Sequence, residues 1–164
     1  MAAMKPLPSE PTPSRLVEVV VDAWPVVLLR CPAVLDLPAI NSMFQGMERV
    51  VERQARFSLV VDTRALARFP DAVGRKTIAH WMAIHTTAEA LYNLGNAVVI
   101  GSAPARAALT AIQWVRKPVC PHAYVSTTSD AIDWCSERLR AADIPLPSSV
   151  RALRAAELLR DARR

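Results

Sequence analysis

The feature that most restricts this chain is an alternation of short, nearly continuous β-branched and apolar runs with stretches of helical periodicity. Phe57-Ser-Leu-Val-Val-Asp62 and Ala97-Val-Val-Ile-Gly101 are such runs. A strand that is apolar on both sides has to be covered on both sides, which marks the interior of a parallel sheet. Parallel neighbours need a crossover of a dozen or more residues, and the segments between these runs are long enough to supply helices.

The chain body opens at Arg15 with Leu16-Val-Glu-Val-Val-Val-Asp22 and, after Ala23, Trp24-Pro-Val-Val-Leu-Leu-Arg-Cys31. These runs lie too close for a crossover and predict an antiparallel pair. Pro25 has no N–H for a ladder, which predicts an edge or a bulge at the start of the second strand. Asp36 is placed to cap a first helix with Pro38 in its first turn. Ile40, Met43, Phe44, Met47, Val50 and Val51 then recur at intervals of three and four, an amphipathic pattern. A second, longer helix is predicted from Pro70 to Leu94-Gly95-Asn96, with Ile78, Trp81, His85, Ala88 and Tyr92 facing inward. A third is predicted from Pro104 to Arg116, with Leu109, Ile112 and Val115 inward. His122-Ala-Tyr-Val-Ser126 reads as the last strand. Thr127 to Asp130 then caps a helix carrying Ile132, Cys135 and Leu139. Pro145 and Pro147 break the chain before a tail helix.

The predicted order is β-β-α-β-α-β-α-β-α, an α/β fold with a mixed, mostly parallel sheet of about five strands and a C-terminal tail helix. Residues 1–14, with Pro6, Pro8, Pro11 and Pro13, are expected to form a disordered leader. Residues 15–144 form the domain, and residues 145–164 the basic tail.

Composition narrows the function classes. The net charge is +5, but it is concentrated in the tail, where Arg151, Arg154, Arg160, Arg163 and Arg164 face only Glu157 and Asp161. With aromatics at 5% there is little material for a base-stacking surface, so nucleic acid is not the expected partner. No apolar run approaches the roughly 20 residues of a membrane span, and no apolar segment follows the N-terminal charge. A cytoplasmic protein is expected. The cysteines Cys31, Cys120 and Cys135 are widely spaced and are expected to be reduced and buried.

The chemistry-bearing residues form no reacting set. His80 and His85 lie about 140° apart on a helix, so they cannot share a metal ion. His85 sits on the apolar stripe and His122 at a strand start, both readable as packed, hydrogen-bonded histidines. Gly101-Ser-Ala-Pro-Ala-Arg106 follows a strand but lacks the Walker lysine and the dinucleotide glycines. Asp62 ends a buried strand with no partner carboxylate. No enzymatic activity, cofactor or metal is expected. Met43, Phe44 and Met47 are suited to a packed core or to an adaptable ligand groove.

The strand pair, Phe57–Asp62, Ala97-Val-Val-Ile-Gly-Ser102 and Tyr124-Val-Ser-Thr-Thr-Ser-Asp-Ala-Ile-Asp-Trp134 together resemble the STAS domain, the anti-sigma-factor-antagonist fold. The resemblance extends to its divergent branch, which shares architecture with CRAL-TRIO lipid-binding domains, and covers about residues 15–142. It implies a non-catalytic bacterial interaction or regulatory module, or alternatively a carrier of a small apolar ligand or lipid. The antagonist branch carries a phosphorylatable serine at the start of its second helix. Here that stretch reads Phe69-Pro-Asp-Ala-Val-Gly-Arg-Lys76, with Asp71 and Ala72 near the serine positions, so the usual phosphoswitch is not expected.

The resemblance implies partner contact on the loop over residues 64–76, where Arg64, Arg68, Arg75 and Lys76 surround Asp71. Arg151, Leu153, Arg154 and Leu158 of the tail helix join them as candidates. The expected partner is another protein or a second copy of the chain, since an uncovered amphipathic tail commonly docks in a groove; a tail folded back on its own domain is the equal alternative. A carrier would instead hold a cavity of several hundred cubic ångströms.

Overall fold

The computed structural model describes residues 15–103, 106–107 and 119–163. Its strands are β1 (Glu18–Val20), β2 (Val26–Arg30), β3 (Phe57–Asp62), β4 (Asn93–Val99) and β5 (His122–Val125). Its helices are α1 (Leu37–Val51), α2 (Ala72–Ile84), α3 (Thr86–Tyr92), α4 (Thr128–Ala141) and α5 (Ser148–Asp161). The leader, and the predicted helix with Leu109, Ile112 and Val115, lie outside the described residues or nearly so.

The five strands stand in sequential order, β1-β2-β3-β4-β5. β1 runs antiparallel to β2, and the other neighbours are parallel. The α/β architecture with a mixed, mostly parallel sheet and a C-terminal helix is therefore as the sequence implied. Sequential order with crossovers of one hand keeps connecting helices on one face of the sheet. Accordingly α1 packs against Val27, Leu29, Phe57 and Leu59, and partly buried residues of α2 and α3 border that core. After β5 the other face is filled: α4 covers Val26, Leu28, Val60, Ala97 and Val99, and Val150 of α5 joins that core.

Local signals place the well-formed elements. Asp36 accepts from the Ala39 amide at 3.1 Å and starts α1, with Pro38 in the first turn. Thr127 accepts from the Asp130 amide at 3.1 Å and starts α4. All three cysteines are buried, and burial pushes each thiol up to about 12.

The start of β2 is an edge, as Pro25 implied: β1 pairs only with Leu28, Leu29 and Arg30, so Val26 and Val27 pair with β3 alone, although β2 as a whole lies between β1 and β3. The Pro25 carbonyl still accepts from the Ser58 amide at 3.0 Å, so the missing donor is the only loss. The expected long second helix is instead two helices that meet at His85, where φ is −94° and ψ 8°. Leu94-Gly95-Asn96 does not close a helix but lies inside β4. Gly95 has φ +154°, and a Cβ there would meet the Trp134 ring of α4 at 2.6 Å. The ladder shifts register opposite it, between Phe57 and Leu59. A glycine is required at that irregularity by both the dihedral angle and the close ring.

Candidate functional site

The two faces of the sheet are filled differently. α4 buries Ala131, Ile132, Cys135, Ser136 and Leu139, and α1 buries Ala39, Ile40, Met47 and Val50. α2 buries only Gly74, and α3 buries nothing fully. The predicted inward stripe of Ile78, Trp81, His85, Ala88 and Tyr92 does face the core, yet every member remains half-buried. The reason is how α2 is held. Gly74 lies against Ile40 of α1, where a Cβ would come within 2.9 Å of Ile40 Cδ1. Farther along, Trp81 stacks on Phe44 at 5.2 Å between ring centres and 4° between planes. α2 therefore leans on α1 and not on the sheet, and a space opens beneath it.

That space is a cavity of about 240 Å³. Leu29, Leu59, Val61 and Val98 make its floor on β2, β3 and β4. Met43, Phe44 and Met47 make the α1 wall, and Ile78, Trp81 and Met82 the α2 wall. Three methionines in one lining give walls that adjust to different shapes at little energetic cost. The ring wall is braced from behind. Trp81 Nε1 donates to Glu48 at 3.0 Å, and His85 stacks on the indole at 4.1 Å. His85 Nδ1 donates to the Trp81 carbonyl at 2.9 Å, and Nε2 lies 3.1 Å from Glu48 Oε1.

One end of the cavity is polar, lined by Asn96, His122, Tyr124 and Glu89. A hydrogen-bonded row crosses it. Asn93 Nδ2 donates to Asn96 Oδ1 at 2.7 Å, and Asn96 Nδ2 lies 3.2 Å from His122 Nε2. His122 Nδ1 lies 2.8 Å from the Cys120 carbonyl, so Nδ1 carries the proton and Nε2 accepts from Asn96. The second Asn96 N–H and the unused lone pair of its oxygen remain for a polar group at this end.

The sequence-predicted contact residues fall in several places. Arg64 is not displayed, which corrects its assignment to an exposed docking loop. Its side chain is 10% exposed, donating to Asp62 at 2.9 and 2.8 Å and to Asp161 of α5 at 2.6 Å. It also donates to Thr128. These bonds, Asp62 first, hold the guanidinium firmly protonated against the cost of burial. Asp62 thus has a partner, but a structural one. Arg68, Asp71, Arg75 and Lys76 are exposed. The Arg68 backbone is tied to the loop after β2, its amide donating to the Ala33 carbonyl at 2.9 Å. Asp71 caps α2 through the Gly74 amide at 2.8 Å.

The tail helix is folded onto its own domain. Glu157, 1% exposed, takes Arg30 at 2.6 Å. Asp161 sits over the start of α4, accepting from the Ser129 amide at 3.0 Å and its hydroxyl at 2.9 Å. Burial pushes the Asp161 carboxyl up, but these bonds and Arg64 outweigh it and hold the group below its ordinary value. Leu153 packs on the α4-side core, Arg154 pairs with Asp133, and Arg151 and Leu158 remain exposed.

Sequence reasoning found the α1 wall of the cavity and missed its floor and polar end. Leu29, Leu59, Val61 and Val98 have the composition of any core strand, and only α2 standing off the sheet makes them a lining. No helix of the described residues is long and apolar enough to cross a membrane, and no group of His, Cys, Asp and Glu among them is arranged to hold a metal ion. No protein-family model matches the chain, and no curated protein matches it.

Proposed function

We propose that this chain is a non-catalytic binding protein whose ligand is a small, mainly apolar molecule held between α1, α2 and the sheet. The observation that carries this reading is the helix α2, which buries only its Gly74 and roofs a hydrocarbon, thioether and aromatic cavity. A dry apolar cavity of about 150 Å³ holds one benzene-sized molecule. The larger space here suits a fused bicyclic or a short branched alkyl chain, with one polar group toward Asn96 and His122. This supports the apolar-ligand side of the family resemblance.

Two measurements test it. Mass spectrometry of the purified chain under native and denaturing conditions reports any co-purified small molecule. Titration with 1-naphthol, followed by quenching of tryptophan fluorescence, reports the cavity directly, since Trp81 lines it. Val98→Phe places a ring into the floor, and we expect it to weaken 1-naphthol binding at least tenfold while the chain remains folded. Equal binding by the folded variant, or no binding by the natural chain, overturns the reading.

A second reading has its own support. Val73 and Ile84 on the outer side of α2 are 59% and 64% exposed, near the displayed Arg68, Arg75 and Lys76. That surface suits the STAS-like alternative, a regulatory module that contacts a protein or a second copy of itself. Native mass spectrometry separates the two: a dimer lost in Ile84→Glu supports it, and a monomer in both counts against self-association.

A further inference from the structure

On the sheet face opposite the cavity, α4, the connection after it and the first turns of α5 enclose a groove of about 300 Å³. Its floor is apolar, made by Ile132, Ile144 and Val150. Three guanidinium groups stand around it, those of Arg140, Arg151 and Arg154, with Asp133 as the one acid in the lining. Arg154 and Asp133 neutralise each other through two bonds of 2.6 and 2.7 Å. Arg140 and Arg151 are engaged by no ion pair among the described residues.

Two further features point the same way. Ser136 lines the groove at 4% exposure, and its hydroxyl enters no hydrogen bond among the described residues. The hydroxyl is open to the groove and can donate to an acceptor held there. α5 starts beside the groove at Pro147 without a side-chain cap, so its first N–H groups add positive potential there. Two guanidiniums without an ion pair, a hydroxyl open to the groove and an apolar floor describe a receptor for an anion carried on a compact hydrocarbon.

We propose that this groove is a second ligand site, separate from the cavity, for a small organic oxyanion: a phosphate or carboxylate on an apolar body. Arg140 and Arg151 grip the anion, for which planar guanidinium donors are well suited. The Ser136 hydroxyl donates to it, and Ile132, Ile144 and Val150 receive the hydrocarbon.

The test is titration of the full chain with phenyl phosphate, benzoate, inorganic phosphate and phenol, read by amide chemical shifts and calorimetry. Phenyl phosphate or benzoate should shift the Ser136, Arg140 and Arg151 amides and bind in the millimolar range or tighter, and which of the two binds tighter identifies the anion. Phenol should bind at least tenfold more weakly. Arg140→Gln and Arg151→Gln should each weaken binding about tenfold, with melting midpoints near that of the natural chain because both side chains are exposed. Saturating 1-naphthol should leave the titration unchanged, which keeps this site distinct from the cavity. The proposal is overturned if neither aromatic anion shifts these amides by ~10 mM, if phenol binds equally, or if both variants bind as before. It is equally overturned if only an anion displayed on a protein or peptide binds.

Discussion

The contact between Asp161 and Arg64 joins the last turn of the chain to the end of its central strand, and Asp161→Ala measures what it contributes. The Asp161 side chain is 7% exposed and accepts from Arg64 at 2.6 Å, from the Ser129 amide at 3.0 Å and from the Ser129 hydroxyl at 2.9 Å. A bond to a charged partner contributes about 1.5–3 kcal/mol and an ordinary one about 1 kcal/mol. The loss is partly offset, because Asp62 remains on Arg64 and water can reach the start of α4. The net effect is about 2–3 kcal/mol, or a fall of about 5–10 °C in the melting midpoint for a chain of this size. The pH dependence provides an independent check. The Asp161 carboxyl titrates below its ordinary value in the folded chain. Its stabilisation is therefore complete above about pH 4, where an unfolded aspartate titrates, and is lost as pH falls through the lower folded value. Thermal melts by circular dichroism between pH 3 and 7 should show the two proteins furthest apart at neutral pH and converging in acid. A difference under about 2 °C at pH 7, or one that grows on acidification, refutes the argument.

Gly95→Ala should lower the melting midpoint by at least about 5 °C, since the variant meets both the φ of +154° and the Trp134 ring; an unchanged midpoint would mean that β4 relaxes freely there. The thiols are pushed up to about 12 and buried, so iodoacetamide at pH 8 should leave Cys31, Cys120 and Cys135 unmodified in the native chain and alkylate all of them in denaturant. Rapid native labelling of any one, read by mass spectrometry, would contradict the burial.

What was legible in the sequence was what is local. Asp36 with Pro38, and Thr127 before Asp130, are caps that act within one turn, so the starts of α1 and α4 could be placed from the residues alone. The Phe57–Asp62 run signals a strand covered on both faces, and β3 is one. Gly95 misled because glycine and asparagine after a helical stripe read as a terminator. Its actual constraint, the Trp134 ring, comes from an element 39 positions later, a separation invisible to periodicity. Arg64 misled for a related reason. A loop arginine reads as solvent-facing, whereas its partner Asp161 lies 97 residues away. The cavity was half legible: Met43, Phe44 and Met47 suggested an adaptable wall, but a cavity floor and a packed core have the same composition.

The sheet order also decides what the tail must do. Five strands spaced about 4.8 Å apart span about 19 Å, twice the diameter of one helix, so each face needs two helices. Among the described residues, connections between consecutive strands supply α1 to α3 on one side, and α4 and α5 cover the other. On that account α5 completes the fold, and truncation after Leu146 should do far more than remove a docking element. It removes Val150 and Leu153 from the core beside Ile144 and leaves Arg30, whose side chain is 19% exposed, without Glu157. It also leaves the start of α4 without Asp161. Removing one partner of a buried ion pair alone costs about 3–5 kcal/mol, against a total stability of about 5–15 kcal/mol for a typical domain. The truncated chain should therefore lose its cooperative thermal transition or melt at least about 15 °C lower. If it melts as the full chain does and loses only self-association, α5 is an interaction arm, and α4 alone is enough to cover its face of the sheet.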